Sequence, residues 1–493
     1  MLLFVILFVT AYQAGAGWWA GLFVRLDPLL ALTATLAGRT LAAGFWLALF
    51  TVVLTAVFGR AWCGWLCPLG TLLDWLRPRP RRVSRRRNDL LPQPPERWRV
   101  AKYVLLLVVL FAALLGNQSL AILDPITLLT RTVAGAAWPA LSYAVYQVEA
   151  VLYRFELLWQ PLDVLHAAVV YPLFRDVQPL FIQAVPLFLF FGLIVALNWW
   201  VERFWCRYLC PLGGLLGLIA KGARLRREVG AECKSCALCT HRCPTGTIDV
   251  HNGFRSDPGE CIVCYDCLVD CPQEGIAFRW QRAWRPAAWR MYDPRRREVM
   301  TALGAAAIGV SLAGAEPVTR HAPPLVLRPP GARLVAFSDL CIRCGECVRA
   351  CPTQGLQASL VEGGWQNLFT PRLAPRLGYC LYSCQACSQV CPTGAIPALT
   401  LEEKQSTPIG LARVDRDRCL PWAYSTPCIV CEEMCPIPDK AIRLEEVEVM
   451  DGQGQAVVLQ RPLVIKERCI GCGICEYQCP MGGEAAIRVF AQP

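Results

Sequence analysis

The chain has 493 residues, of which 55% are hydrophobic, with a mean hydropathy of +0.37, a formal net charge of +11 and 28 cysteines. That length exceeds one ordinary domain. Its arginines gather beside apolar runs, which argues against nucleic acid as a partner and for the excess of Lys and Arg that marks cytoplasmic loops of membrane proteins.

Taken in order, the apolar runs predict four transmembrane helices, at Leu2 to Val24, Leu41 to Phe58, Tyr103 to Leu123 and Phe181 to Trp200. Each approaches the roughly 20 residues that span a bilayer. The aromatic-rich stretch between the third and fourth, Ala140 to Tyr171, reads as an interfacial helix or a re-entrant turn. Basic residues after the second run (Arg77 to Lys102) and after the fourth (Arg203 to Arg227) place those loops in the cytoplasm.

Two related stretches sit at the ends of the second and fourth runs. Trp62-Cys63-Gly64-Trp65-Leu66-Cys67-Pro68-Leu69-Gly70 and Trp205-Cys206-Arg207-Tyr208-Leu209-Cys210-Pro211-Leu212-Gly213 share the pattern W-C-x-x-L-C-P-L-G. An α-helix would place each cysteine pair on one face. Three readings stand open for Cys63, Cys67, Cys206 and Cys210: a further metal centre, redox-active thiols near a quinone, or buried structural cysteines. Trp62, Trp65, Trp205 and Tyr208 read first as interface anchors.

The other 24 cysteines fall into six groups of four. Cys233, Cys236, Cys239 and Cys243, then Cys261, Cys264, Cys267 and Cys271, each spell C-x2-C-x2-C-x3-C-P. This is the two-cluster bacterial ferredoxin pattern, in which the fourth cysteine ligates the other cluster. Cys271 is therefore expected to complete the first site and Cys243 the second. Zinc would ask for paired C-x2-C sites at longer separations.

Further on, Arg296-Arg297 precedes a Gly/Ala-rich apolar run ending Ala313-Gly314-Ala315, which resembles a twin-arginine export signal. Prolines at 323, 324, 329 and 330 mark a linker. Four more cysteine groups follow. Cys341, Cys344, Cys347 and Cys351, and Cys469, Cys472, Cys475 and Cys479, keep the standard spacing. Cys380, Cys384, Cys387 and Cys391 widen the first gap by one residue, and Cys419, Cys428, Cys431 and Cys435 open it to eight. Fourth cysteines exchange either first with second and third with fourth, or first with fourth and second with third. The expected total is six 4Fe–4S clusters. Four histidines (His166, His241, His251 and His321), with no C-x-x-C-H, argue against a di-haem cytochrome b or a c-type cytochrome.

Four spans, two such elbows and a two-cluster ferredoxin resemble the NapH family of membrane ferredoxins over residues 1 to about 280, Asp27-Pro28 and Asp124-Pro125 included. From Arg295 onward the chain resembles the NapG and MauM family. The resemblance implies a NapH–NapG fusion. Its parts would be a four-helix transmembrane domain (1–225), a cytoplasmic two-cluster ferredoxin domain (226–280), a basic linker with the Tat-like segment (281–333) and a four-cluster polyferredoxin domain (334–493). The implied fold is an α-helical membrane domain joined to α+β bacterial-type ferredoxin domains. The implied function is a quinol dehydrogenase-like iron–sulfur protein of the bacterial inner membrane. Electrons would come from the quinone pool or a cytoplasmic donor, and the last domain would face the periplasm and serve a periplasmic reductase or a cytochrome. A factor that reduces a metal or thiol in a client enzyme during its maturation is the alternative.

Overall fold

The computed structural model describes residues 1–13, 21–40, 43–76, 96–174, 181–281, 326–332, 337–360, 367–450 and 456–491, with a few isolated positions besides. Most of the basic loop after the second apolar run, and Arg296, Arg297 and the Ala313–Ala315 stretch of the Tat-like segment, lie outside the described residues.

The structure overturns the membrane domain. The first apolar run forms the helices Leu2–Gln13 and Leu22–Arg25, the second Ala48–Phe58, the third Val100–Leu114 and the fourth Ala184–Trp200. At 1.5 Å per residue the 15-residue third helix is about 22 Å long, short of a hydrocarbon core of about 30 Å. Among the described residues no helix is long and apolar enough to cross a membrane. The multi-pass inner-membrane location, and the cytoplasmic and periplasmic sides derived from it, fall with the spans. The runs are cut by their own punctuation. Asp27 ends one helix and caps the next, Gly59 (φ 73°) closes Ala48–Phe58, and Gly116 (φ 79°) follows Val100–Leu114.

The chain forms two compact units. One gathers residues 1–7, 21–132 and 186–316. Its helices Pro28–Gly38, Ala48–Phe58, Val100–Leu114 and Pro211–Ala220 pack on one another around buried Leu29, Leu30, Leu106, Leu212 and Leu216. Asp27 Oδ1 accepts from the Leu29 and Leu30 amides at 2.7 and 3.2 Å, and Asp124 Oδ2 from the Ile126 and Thr127 amides at 3.0 Å. These are N-caps placed just before a proline that lacks the N–H. Burial raises both carboxyls above their ordinary range, and for Asp27 the neighbouring Asp124 adds to the rise.

The cysteine-rich insert of this unit is closed by strand Leu225–Val229 pairing antiparallel with Ile276–Trp280. It docks on the helices through two glycines. A Cβ at Gly217 would lie 2.8 Å from the Gly259 carbonyl oxygen, and one at Gly64 2.3 Å from that of Ile262. Trp65 Nε1 then donates to Val263 O at 2.8 Å.

The second unit gathers residues 8–20, 133–185 and 317–493. Three antiparallel strand pairs carry it: Leu356–Ala358 with Pro371–Leu373, Leu411–Val414 with Ile487–Phe490, and Ile442–Met450 with Ala456–Val464. Its core joins Phe337, Val348, Leu356, Val390, Ile409, Ile442 and Ile487 to the cysteine loops, so one apolar cluster supports all four cysteine groups of the unit.

Candidate iron–sulfur centres

Each standard-spacing cysteine loop has the same backbone. The residues on either side of its second cysteine have positive φ: Ser235 and Ala237, Val263 and Tyr265, Arg343 and Gly345, Gly471 and Gly473. Two left-handed residues two positions apart, one on each side of the cysteine, curl the chain about the sulfurs, and a short helix follows, as in Glu346–Ala350 and Ile474–Tyr477. Most residues resist this conformation by about 1–2 kcal/mol, so its recurrence at five non-glycine positions next to a cysteine means the loop geometry outweighs that cost. The two widened groups reach the helix that follows their second cysteine differently. Gln385 and Ile429 precede it with φ of −124° and −123°.

Fourth cysteines cross between groups. Cys351 lines one cavity with Cys380, Cys384 and Cys387. A second is lined by Cys479 with Cys419, Cys428 and Cys431, and a third by Cys435 with Cys469, Cys472 and Cys475. Cys391 lies within electrostatic range of Cys341, Cys344 and Cys347, and Cys243 of Cys261, Cys264 and Cys267. In the second unit the cysteines thus group first motif with second and third with fourth around their cavities, not in the nested order.

Four sulfurs per cavity and no histidine make a soft donor set suited to iron–sulfur chemistry. Among the described residues no group of three or more His, Cys, Asp or Glu is placed to hold a single metal ion. A cubane makes no such demand, because its four ligands bind four separate irons. Burial pushes the free thiols up, Cys380 and Cys431 to about 12 and Cys419 and Cys472 to about 11. Backbone amides already point at the sulfurs. Ala441 N donates to Cys435 Sγ and Ala412 N to Cys469 Sγ at 3.4 Å, and Ala486 N to Cys479 Sγ at 3.3 Å. Such N–H groups favour the thiolate that a cluster requires.

The elbows form a matched pair in the first unit. Trp62–Leu66 and Trp205–Leu209 are π-turns, and the Cys67 and Cys210 amides donate back to Trp62 O and Trp205 O at 2.8 Å. The α-helical i, i+4 arrangement does not form. Pro68 and Pro211 hold the preceding cysteine extended and begin new helices, Pro68–Trp75 and Pro211–Ala220. All four thiols are buried, and Cys210 Sγ accepts from the Gly213 amide at 3.2 Å. Burial pushes Cys67, Cys206 and Cys210 up.

Sequence reasoning treated Arg203 as loop charge and passed over Arg60. Both are 1% exposed and stand three residues before the first elbow cysteine. They reach across reciprocally. Arg60 lies against Gly213 of the second elbow, 2.8 Å from where a Cβ would be, and Arg203 donates to Cys63 O of the first at 2.9 Å. The shared R-x-W-C-x-x-L-C-P-L-G pattern was the available signal. Also missed was the buried carboxylate of Glu260, beside Cys261. It accepts from Lys102 at 2.5 Å, Arg99 at 3.1 Å and Arg60 at 3.4 Å. His166 is paired with Glu149 at 3.2 Å in the second unit.

Comparison with known proteins finds iron–sulfur domain matches in both units. A 4Fe-4S binding domain model matches residues 40–87 and again 183–229, one copy around each elbow. A 4Fe-4S dicluster domain matches 340–395, and another 4Fe-4S binding domain matches 462–483. The methylamine utilization ferredoxin-type protein MauM of Methylorubrum extorquens is 37% identical over 208 residues, 40% of this chain and 90% of the relative. The ferredoxin-type protein NapG of Escherichia coli is 38% identical over 200 residues, 40% of this chain and 83% of the relative. Protein NirI of Paracoccus denitrificans is 30% identical over 237 residues, 47% of this chain but 28% of the relative. No solved structure matches. The chain is an iron–sulfur electron-transfer protein and belongs to the NapG/MauM ferredoxin-type family.

Proposed function

We propose that the chain is a multi-cluster electron conduit with six 4Fe–4S sites, in which a NapH-like ferredoxin half and a NapG/MauM-like half are fused. The observation that carries this reading is the set of cavities lined by three cysteines of one motif and the fourth of another. Held there, each cluster would supply one-electron uptake and release. In the first unit Cys233, Cys236, Cys239 and Cys271 would hold one cluster, and Cys261, Cys264, Cys267 and Cys243 the other. The residues around the quartets exclude water, direct amides at sulfur and place cations nearby. Arg227 Nε, for example, lies 3.4 Å from Cys267 Sγ, and Arg343 Nη1 donates to Cys341 O at 3.3 Å. Electrons would enter from a quinol or a reduced protein and leave to a reductase or a cytochrome.

Iron and acid-labile sulfide analysis of the anaerobically reconstituted chain should give about 24 of each. About 16 would remove two sites.

The elbow cysteines take a packing role in this reading. Buried thiols pushed up by desolvation, as Cys67, Cys206 and Cys210 are, make poor nucleophiles, and Cys210 Sγ caps the helix that follows it. A Cys63→Ser, Cys206→Ser double variant should keep its full iron content and its reduction by dithionite. Loss of iron would make them ligands. Full iron with slowed reoxidation by a quinone would make them redox-active.

A further inference from the structure

The two ferredoxin pairs of the second unit touch through the backbones of two of their cysteines. Cys380 N donates to Cys472 O at 2.8 Å, and these cysteines belong to different quartets, Cys351/Cys380/Cys384/Cys387 and Cys435/Cys469/Cys472/Cys475. The contact is backbone against backbone. Ile409 N donates to Ile470 O at 2.8 Å, and a Cβ at Gly471 (φ +69°) would fall 2.4 Å from Gly410 O.

One buried cation lies against this contact. Lys404 is 3% exposed and sits on the helix Leu401–Ser406, whose start is fixed by a capping box between Thr400 and Glu403. Its Nζ donates to Leu381 O at 2.6 Å and Tyr382 O at 2.9 Å, both in the loop between Cys380 and Cys384. These partners are neutral, and no ion pair neutralises the ammonium among the described residues. Leu381 and Tyr382 directly follow Cys380, whose amide bonds Cys472 O, so the charge stands beside the contact between the two quartets.

We propose that Lys404 is a positioning charge shared by the two quartets that meet at Cys380 and Cys472, raising the reduction potential of both and making this contact the place where an electron crosses between the two ferredoxin pairs. The inference rests on the cluster reading above. Reduction adds one electron and makes a four-thiolate site one charge more negative. A cation held in a dry interior favours that state. In the crossing one electron leaves one site and arrives at the other, with no bond made and no proton moved. The outer quartets lack this lysine, so its removal should leave their potentials in place. A lysine that only satisfied two carbonyls would not set potentials.

The test compares Lys404→Gln, which keeps an N–H donor without the charge, with Lys404→Arg, which keeps both. Full chains are reconstituted, assayed for iron and sulfide, and titrated potentiometrically with EPR detection. Gln should move two midpoint potentials to more negative values and leave the others in place, and Arg should leave all of them near the parent values. Full iron with no shift in Gln, or an equal shift at every site, overturns the proposal. A parent chain short of iron by two clusters in this unit instead defeats the cluster reading before any potential is read. Should Gln fail to hold its clusters, pulsed dipolar EPR on the reduced parent decides. Coupling between the two pairs supports the crossing point, and two magnetically isolated pairs overturn it.

Discussion

A Cys435→Ser chain should lose about four irons, and they should come from the site of Cys469, Cys472 and Cys475 rather than from that of its own motif. Cys435 lines the cavity of the fourth motif, while the third motif's cavity is completed by Cys479. Iron content alone does not say which site emptied, but a double-variant comparison does. Cys435→Ser with Cys469→Ser removes two ligands of one site, so the pair should lose no more iron than either single change. Cys435→Ser with Cys419→Ser strikes two sites and should lose about eight. Groups that act as a unit are non-additive, and independent ones add. The reverse pattern, with additivity for 435/469 and none for 435/419, would mean that each motif keeps its own fourth cysteine.

Within the first ferredoxin the spacing leaves a single way to cross, because two standard motifs have one partner each. The four later motifs left two ways. What decides between them is packing far apart in sequence: the pairing of Leu411–Val414 with Ile487–Phe490 and of Ile442–Met450 with Ala456–Val464 draws the third and fourth motifs together. No residue pattern near the cysteines carries that information. The widened gaps likewise concealed that Gln385 and Ile429 avoid the left-handed turn.

The membrane expectation failed for a different reason. Hydropathy windows count apolar residues but do not see where a helix is capped. Asp27, Gly59 and Gly116 stop the runs, and several apolar side chains bury against each other: Leu29, Leu30 and Leu106 are at most 3% exposed. Buried charge was equally invisible. Arg60, Arg99 and Lys102 look like loop arginines and a basic flank, yet they converge on a carboxylate more than 150 residues away. Only the repeated arginine three residues before the first cysteine of each elbow was there to be read.

Glu260→Gln should be the most destabilising single change in the first unit outside the cysteines. Its carboxylate is 4% exposed and the shared partner of Arg60, Arg99 and Lys102, which are themselves 1, 3 and 0% exposed. Removing one partner of a buried ion pair leaves uncompensated charge and costs about 3–5 kcal/mol; here three cations lose their anion together. Because Arg99 also donates to Thr245 O and Gly246 O, and Glu260 adjoins Cys261, the loss reaches the insert itself. A denaturant titration should show a lower midpoint, with iron released in the same transition. Adding Lys102→Met should recover part of the loss, since it removes one of the stranded charges. The pH dependence supplies a second check. Burial pushes the Glu260 carboxyl up, but Lys102, Arg99 and Arg60 overcome this and hold it down to about 2, against an ordinary value of 4.5. A carboxyl depressed in the folded state binds its proton more readily when unfolded. Its contribution is therefore fully present above about pH 4.5 and is lost as pH falls through about 2. Glutamine cannot titrate, so the gap between parent and variant should narrow across that window. A gap that stays constant down to pH 2 would show that the three cations are not held by this carboxylate.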